Sequence, residues 1–309
     1  MQQMQRIPLI LILLFWTGEA GAQLTYNQLT IDYDSAVEYK NLRVVPVRKK
    51  MPGSHGKPFL SFGRAFQTGQ ITLSERGTAS TENVHWLRIV NNSGEPVFVA
   101  SGEVVLGGRQ DRMVTKDTII ESMRGDQYIP VMCVEEDRWS EKEKKFRYAS
   151  FANPKLRKVL DQTKNQVLVW KEIYAQLDSS NIVSPTLAYA AKSTDKKYMS
   201  LSDEYLRYFT QKMMVSDSGI VGFVCMTGDK IIGSDIYDVS SLFADQFQTL
   251  MTGYIEQAIS YGGKNMVTDS TLKKYLDQFL QDEPQQDLFL KKNGKIFRRS
   301  GKAFHITSY

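Results

Sequence analysis

The sequence predicts an α+β fold, a β-rich N-terminal half packed with a helical C-terminal half that carries an internal and a terminal β-hairpin. Three observations support this. Short β-branched and aromatic runs broken by turn residues fill 29–150, apolar stripes at helical spacing fill 151–309, and regular strand-helix alternation is missing.

In chain order, the first segment reads as an export signal. Arg6 precedes an uninterrupted apolar run from Ile7 to Trp16, and Ala20-Gly21-Ala22 supplies a small-residue cleavage site. Such a run rises only about 15 Å as a helix, roughly half a bilayer core, so a retained span is disfavoured. The expectation is cleavage after Ala22, a mature N-terminus at Gln23 and a periplasmic or secreted protein, which the intact mass of exported material checks. No later segment is apolar and long enough to span a membrane, and no Cys follows the run to take a lipid.

The remaining chain, 23–309, reads as a single α+β domain. LRVVPV, QITL, VHWLRIV, PVFVASGEVVL and YIPVMCVE are strand candidates, with turn clusters at Asn91–Gly94 and Gly107-Gly108, and PFLSFGRAFQTG can supply one short helix. Beyond Asn153 the period changes. Val167, Trp170, Ile173, Tyr174 and Leu177 form one stripe; Phe243, Phe247, Leu250, Tyr254 and Ala258 form a second; Leu272, Tyr275, Leu276, Phe279 and Leu280 form a third. LSDEYLRYFTQKMM predicts a fourth helix, with Ser202 as its N-cap. VGFVCMTGDKIIGSDIY predicts a hairpin turning at Gly228-Asp229, and LFLKKNGKIFRR another turning at Asn293-Gly294.

Hydrophobic residues at 42%, charged residues at 24% and a net charge of +5 are ordinary globular values. The basic residues are interleaved with acids, as in EKEKKFR, which reads as a solvated face and does not support nucleic-acid binding. Cys133 and Cys225 each sit in an apolar run and are read as separate buried thiols rather than a disulfide.

The common catalytic signatures are absent, and His55, His85 and His305 stand far apart, so neither a metal site nor a cofactor is expected. Two polar segments stand out. GEVVLGGRQDR carries Glu103, Arg109, Gln110, Asp111 and Arg112; CVEEDRW carries Glu135, Glu136, Asp137, Arg138 and Trp139. Each leaves an apolar strand, so neighbouring strands would bring the charges to one end of a sheet. Guanidinium groups bind carboxylate or phosphate bidentately, glycines admit close approach, and Trp139 can stack on a planar ring. Glu103, Arg109, Gln110, Arg112, Glu135, Arg138 and Trp139 are therefore the candidate residues for a small anionic ligand or a partner. The same residue types also build structural ion pairs, with Trp packed on Arg and Gly-Gly as a plain turn. A hydrolase using Glu135 or Glu103 as general base, and an envelope protein without a small ligand, are the alternatives.

On SGEVVLGGRQDR and IPVMCVEEDRW, with VHWLRIVNNSGEPVFVASGE and GFVCMTGDKIIGSDIYDVSSLF beside them, the chain resembles the ADP-ribosylglycohydrolase- and rhodanese-phosphatase-associated protein family. The likeness runs from about Leu29 to the C-terminus. It implies an association with ADP-ribose processing and phosphatase-like proteins, brings no established catalytic residues, and places the same seven polar residues and Cys133 on the family's motif positions.

Overall fold

The computed structural model describes residues 23–51, 59–77, 83–213 and 219–309. The expected signal peptide and His55 lie outside the described residues.

Strands β1 (Leu29–Ile31), β2 (Val37–Tyr39) and β3 (Leu42–Lys49) are followed by β4 (Leu60–Ser61), helix α1 (Phe62–Gln67), β5 (Ile71–Glu75), β6 (Trp86–Asn91) and β7 (Val97–Val99). Then come β8 (Glu103–Gly108), β9 (Arg112–Val114), β10 (Thr118–Ile120), β11 (Asp126–Cys133) and β12 (Lys144–Phe151). The second half runs α2 (Pro154–Thr163), α3 (Gln166–Ser179), a 3-10 turn at Tyr189–Thr194, α4 (Lys196–Lys212), β13 (Ile220–Thr227) and β14 (Lys230–Tyr237). It closes with α5 (Ser240–Tyr261), α6 (Asp269–Leu280), α7 (Glu283–Asn293), β15 (Gly294–Arg299) and β16 (Lys302–Ser308).

In the β-rich half a six-stranded sheet, β12-β8-β9-β11-β6-β5, faces a three-stranded sheet, β10-β7-β4. Strand alternation explains its two faces. Val105, Val114 and Val131 turn inward with Ile89 and Phe62, while Val104, Leu106 and Met113 turn outward and are covered by Leu156, Leu160, Val169 and Ile173 of α2 and α3.

The second half is built on a seven-stranded sheet, β1-β3-β13-β14-β16-β15 with β2 added to β3. Its centre is apolar on both faces, as a sheet covered twice requires: every residue of β13 is buried. Phe223 and Cys225 face α5, whereas Val221, Val224 and Met226 face α6 and α7. Gly222 is needed in β13, because a Cβ there would sit 2.4 Å from the Asp235 carbonyl oxygen. The halves share one core, in which Phe98 and Ala100 of the β-rich half cluster with Tyr237, Phe243 and Phe304.

Three local expectations are corrected. Helix α4 starts six residues before Ser202, capped by Asp195, whose side chain accepts from Tyr198 N; Ser202 is buried within the helix. Asn293-Gly294 is a helix-to-strand junction, because Asp282 and Pro284 start α7 and LFLKKN continues it; the terminal hairpin is β15–β16, turning at Ser300-Gly301. EKEKKFR is only partly a solvated face, since Lys144 opens β12 and Phe146 points into the core between exposed Lys145 and Arg147. The Gly228-Asp229 hairpin forms as expected, with Thr227 paired to Lys230. Cys133 and Cys225 are both buried, and no disulfide joins them.

Candidate functional site

The two polar segments do meet. Strands β8, β9 and β11 are consecutive in the sheet, so the loop after β8 and the loop after β11 leave from the same end. Arg138 organises them: its guanidinium binds Glu135 Oε2 at 2.6 Å and Asp111 Oδ1 at 2.9 Å, and donates to the carbonyls of Gly107, Gly108 and Arg109. Glu135 also accepts from Thr186 Oγ1 at 2.7 Å and from Asp111 N. Gln110 Nε2 donates to the Glu135 and Glu136 carbonyls, and Arg109 reaches the Ser140 and Glu141 carbonyls with Trp139 stacked 6.0 Å from its guanidinium. Burial pushes the Asp111 carboxyl up, with the Glu135 charge adding to it.

The glycines serve the same closure. Gly107 and Gly108 have φ of 121° and 52°, and Cβ atoms there would lie 2.5 Å from the Lys145 carbonyl and 2.2 Å from the Phe146 ring. They let the loop approach its own protein.

Arg112 and Glu103 turn elsewhere. Arg112, fully buried, pairs with Glu75 at 3.4 Å, and Glu75 also accepts from Arg109 N at 2.7 Å. Glu103 stands at the opposite end of β8, roughly 15 Å of strand away, and accepts from Ala100 N, Tyr148 OH and Gln246 Nε2.

Next to Glu103 lies a buried charge network that the motif reading missed. Asp235 on β14 receives both guanidinium nitrogens of Arg157 at 2.9 and 2.7 Å, the Thr307 hydroxyl at 2.8 Å and the Tyr254 hydroxyl at 2.7 Å. His305 on β16 bridges Asp235 at 3.2 Å and Asp117 at 2.7 Å, and Asp117 accepts from Ser101 N. Tyr237 stacks on the imidazole at 4.2 Å. Burial alone would raise both carboxyls and lower His305. The Arg157 charge and hydrogen bonds outweigh it at Asp235 and those of His305 outweigh it at Asp117, holding both carboxyls below their ordinary range; Asp117, then Asp235, raise His305. Gly102 makes room for this: its φ is 95°, and a Cβ would meet Arg157 Nε at 2.8 Å.

Arg157 faces inward from α2, and the other side of that helix opens onto a cleft of about 570 Å³. Lys155 and Lys158 of α2, Gln176 and Ser179 of α3, Gln257, Ser260 and Tyr261 of α5, Lys230 to Ile232 of β14, and Tyr309 line it. No Asp or Glu is among the lining residues. Lys155 pairs with Glu172 at 2.9 Å, Lys230 lies 4.6 Å over the Tyr261 ring, and Lys158 has no ion-pair partner among the described residues. No cluster of metal-ligating side chains occurs among the described residues.

The profile of the ARG and Rhodanese-Phosphatase-superfamily-associated Protein domain matches residues 30–299. The chain belongs to this ARPP-1 family. No curated protein and no solved structure gives a match. The ARPP-1 span contains both polar loops, Arg157, Asp235 and most of the cleft wall, whereas His305 and Tyr309 lie beyond it. Among the described residues no helix is long and apolar enough to cross a membrane.

Asp117, Asp235 and His305 offered one sequence signal, an ionisable residue inside or beside an apolar strand, which a fold accepts only with a partner. Lys155, Lys158 and Lys230 offered none, because isolated lysines are ordinary surface residues.

Proposed function

We propose that this protein binds a small anionic ligand, and that the ligand sits in the cleft between α2, α3, α5 and the β13–β14 hairpin. The observation that carries the reading is a concave wall with three lysines and no carboxylate. Glu172 offsets Lys155 and Asp229 lies near Lys230, so Lys158 carries the uncompensated charge, and an ammonium group in a partly enclosed site attracts an anion more strongly than on an open surface. The volume is in the range of small-molecule sites.

The polar loops favour a bracing role. Arg138, Gln110 and Arg109 spend donors on neighbouring carbonyls and carboxylates, which leaves less for a ligand. The two carboxylates considered as general bases are likewise engaged: Glu135 holds Arg138 and Thr186, and Glu103 is fully buried. Binding therefore has more support than hydrolysis.

Thermal unfolding of the mature chain with phosphate, carboxylate and sugar-phosphate anions at constant ionic strength tests the reading. A ligand at a hundredfold excess over Kd stabilises by about 2.7 kcal/mol. The shift should shrink sharply in Lys158→Gln/Lys230→Gln and persist in Trp139→Ala. No shift with any anion, or a shift abolished only by Trp139→Ala, contradicts the placement.

A further inference from the structure

We infer that the ligand is a polyhydroxylated anion, a sugar phosphate or a sugar acid, rather than a bare oxyanion or a hydroxyl-free carboxylate. This rests on the anionic-ligand reading and comes from counting the hydrogen-bond capacity left in the cleft wall.

The free donors are concentrated in the cations and one amide. Lys158 has no ion-pair or hydrogen-bond partner among the described residues, Lys230 gives one hydrogen to the Tyr261 side chain and keeps two, and Gln257 accepts from Lys155 N through Oε1, leaving its Nε2 without a partner among the described residues. The hydroxyls are in the opposite state. Ser179 donates to the Gln176 carbonyl at 3.1 Å, and Ser260 donates to the Glu256 carbonyl at 2.9 Å. A serine hydroxyl has one hydrogen and two lone pairs, so each of these retains only acceptor capacity. Tyr309 likewise gives its hydrogen to Asp161. Gln176 is consumed by Asn153, Glu172 and Lys192.

A matching ligand therefore needs negative charge for the lysines and donors of its own for Ser179 and Ser260. Sulfate and simple dicarboxylates supply acceptors only, and the hydrogen phosphate dianion brings a single hydroxyl for the two serines. Hydroxyl groups supply donors without opposing the charge, and the apolar wall at Ile231, Ile232 and Tyr261 suits the carbon face of a sugar ring.

Isothermal titration at one ionic strength with ribose 5-phosphate, glucose 6-phosphate, glucuronate, inorganic phosphate, succinate and neutral glucose tests this. The expected result is that at least one hydroxylated anion binds roughly tenfold or more tighter than phosphate and succinate. Ser179→Ala/Ser260→Ala should erase most of that advantage while leaving the weak affinity for phosphate unchanged. The phosphate and glucuronate arms distinguish the two anionic groups. If phosphate or succinate binds as tightly as every hydroxylated anion, this inference is overturned while the anionic-ligand reading stands. If glucose binds as tightly as the anions, or nothing binds, both are overturned.

Discussion

Glu103 shows how far a single side chain's environment can depart from its sequence context. Burial pushes its carboxyl up to about 8, against the hydrogen bonds from Ala100 and Tyr148 and the His305 charge. The folded carboxyl thus keeps its proton where an unfolded one, near about 4.3, has lost it. Gln246 is suited to the neutral form. Its Oε1 is buried with no hydrogen-bond partner, and rotating the amide offers that oxygen to the Glu103 proton. Because the folded pKa is raised, the stability Glu103 contributes is whole below its unfolded pKa and drains away as pH rises toward 8, by at most about 1.4 kcal/mol per pH unit. His305, also raised, contributes in the same direction but only from its ordinary value of 6.5 upward. Between about pH 5 and 6.5 Glu103 therefore contributes to the slope without His305, alongside Asp111, whose carboxyl is also raised by burial. Glu103→Gln should reduce the fall of the melting temperature across that window, and an unchanged slope in the variant would refute the assignment.

At the scale of elements, the loops after β8 and β11 act as one piece because Arg138 ties them. Removing the guanidinium leaves Glu135 and Asp111 facing each other with less compensation, and both are largely buried. Arg138→Ala should cost about 3 kcal/mol by urea denaturation, as breaking a buried pair does. No ligand that stabilises the parent through the cleft should restore the lost pair. A loss below about 0.5 kcal/mol, the size of ordinary surface changes, would argue that the loops are held by something else. These loops were legible in the sequence because Gly-Gly, Arg and Glu crowd into two short stretches beside apolar strands. The charge network was not. His305 is 188 positions from Asp117 and 70 from Asp235, so no local pattern joins them. Most strands of the β-rich half read from their β-branched runs, but β12 opens within the charged EKEKKFR and gave no such run, and Asn293-Gly294 misled because a turn dipeptide says nothing about whether the residue before it ends a strand or a helix.

Across the whole molecule, the network and the shared aromatic cluster cross between the halves. Asp117 and Ser101 come from the β-rich half; Arg157, Asp235 and His305 come from the other. Separating the halves would strand buried charges, a cost that favours one cooperative unit. Urea unfolding followed by tryptophan fluorescence, whose reporters include Trp86, Trp139 and Trp170, should coincide with far-UV circular dichroism. Two resolved transitions would show that the halves are independent.

The pairing of β3 with β13 sets the timing of assembly. These strands lie side by side with residues 50–219 between them. Closing so long a loop must be completed before the contacts repay its entropy, which makes such sheets slow to form. A newly made chain therefore cannot finish its larger sheet early: β3 waits with an unpaired edge until β13 is made, and the apolar faces of β13 stay exposed until α5, α6 and α7 pack on them. That interval is when the molecule is most open to aggregation and to capture by factors that hold unfolded chains.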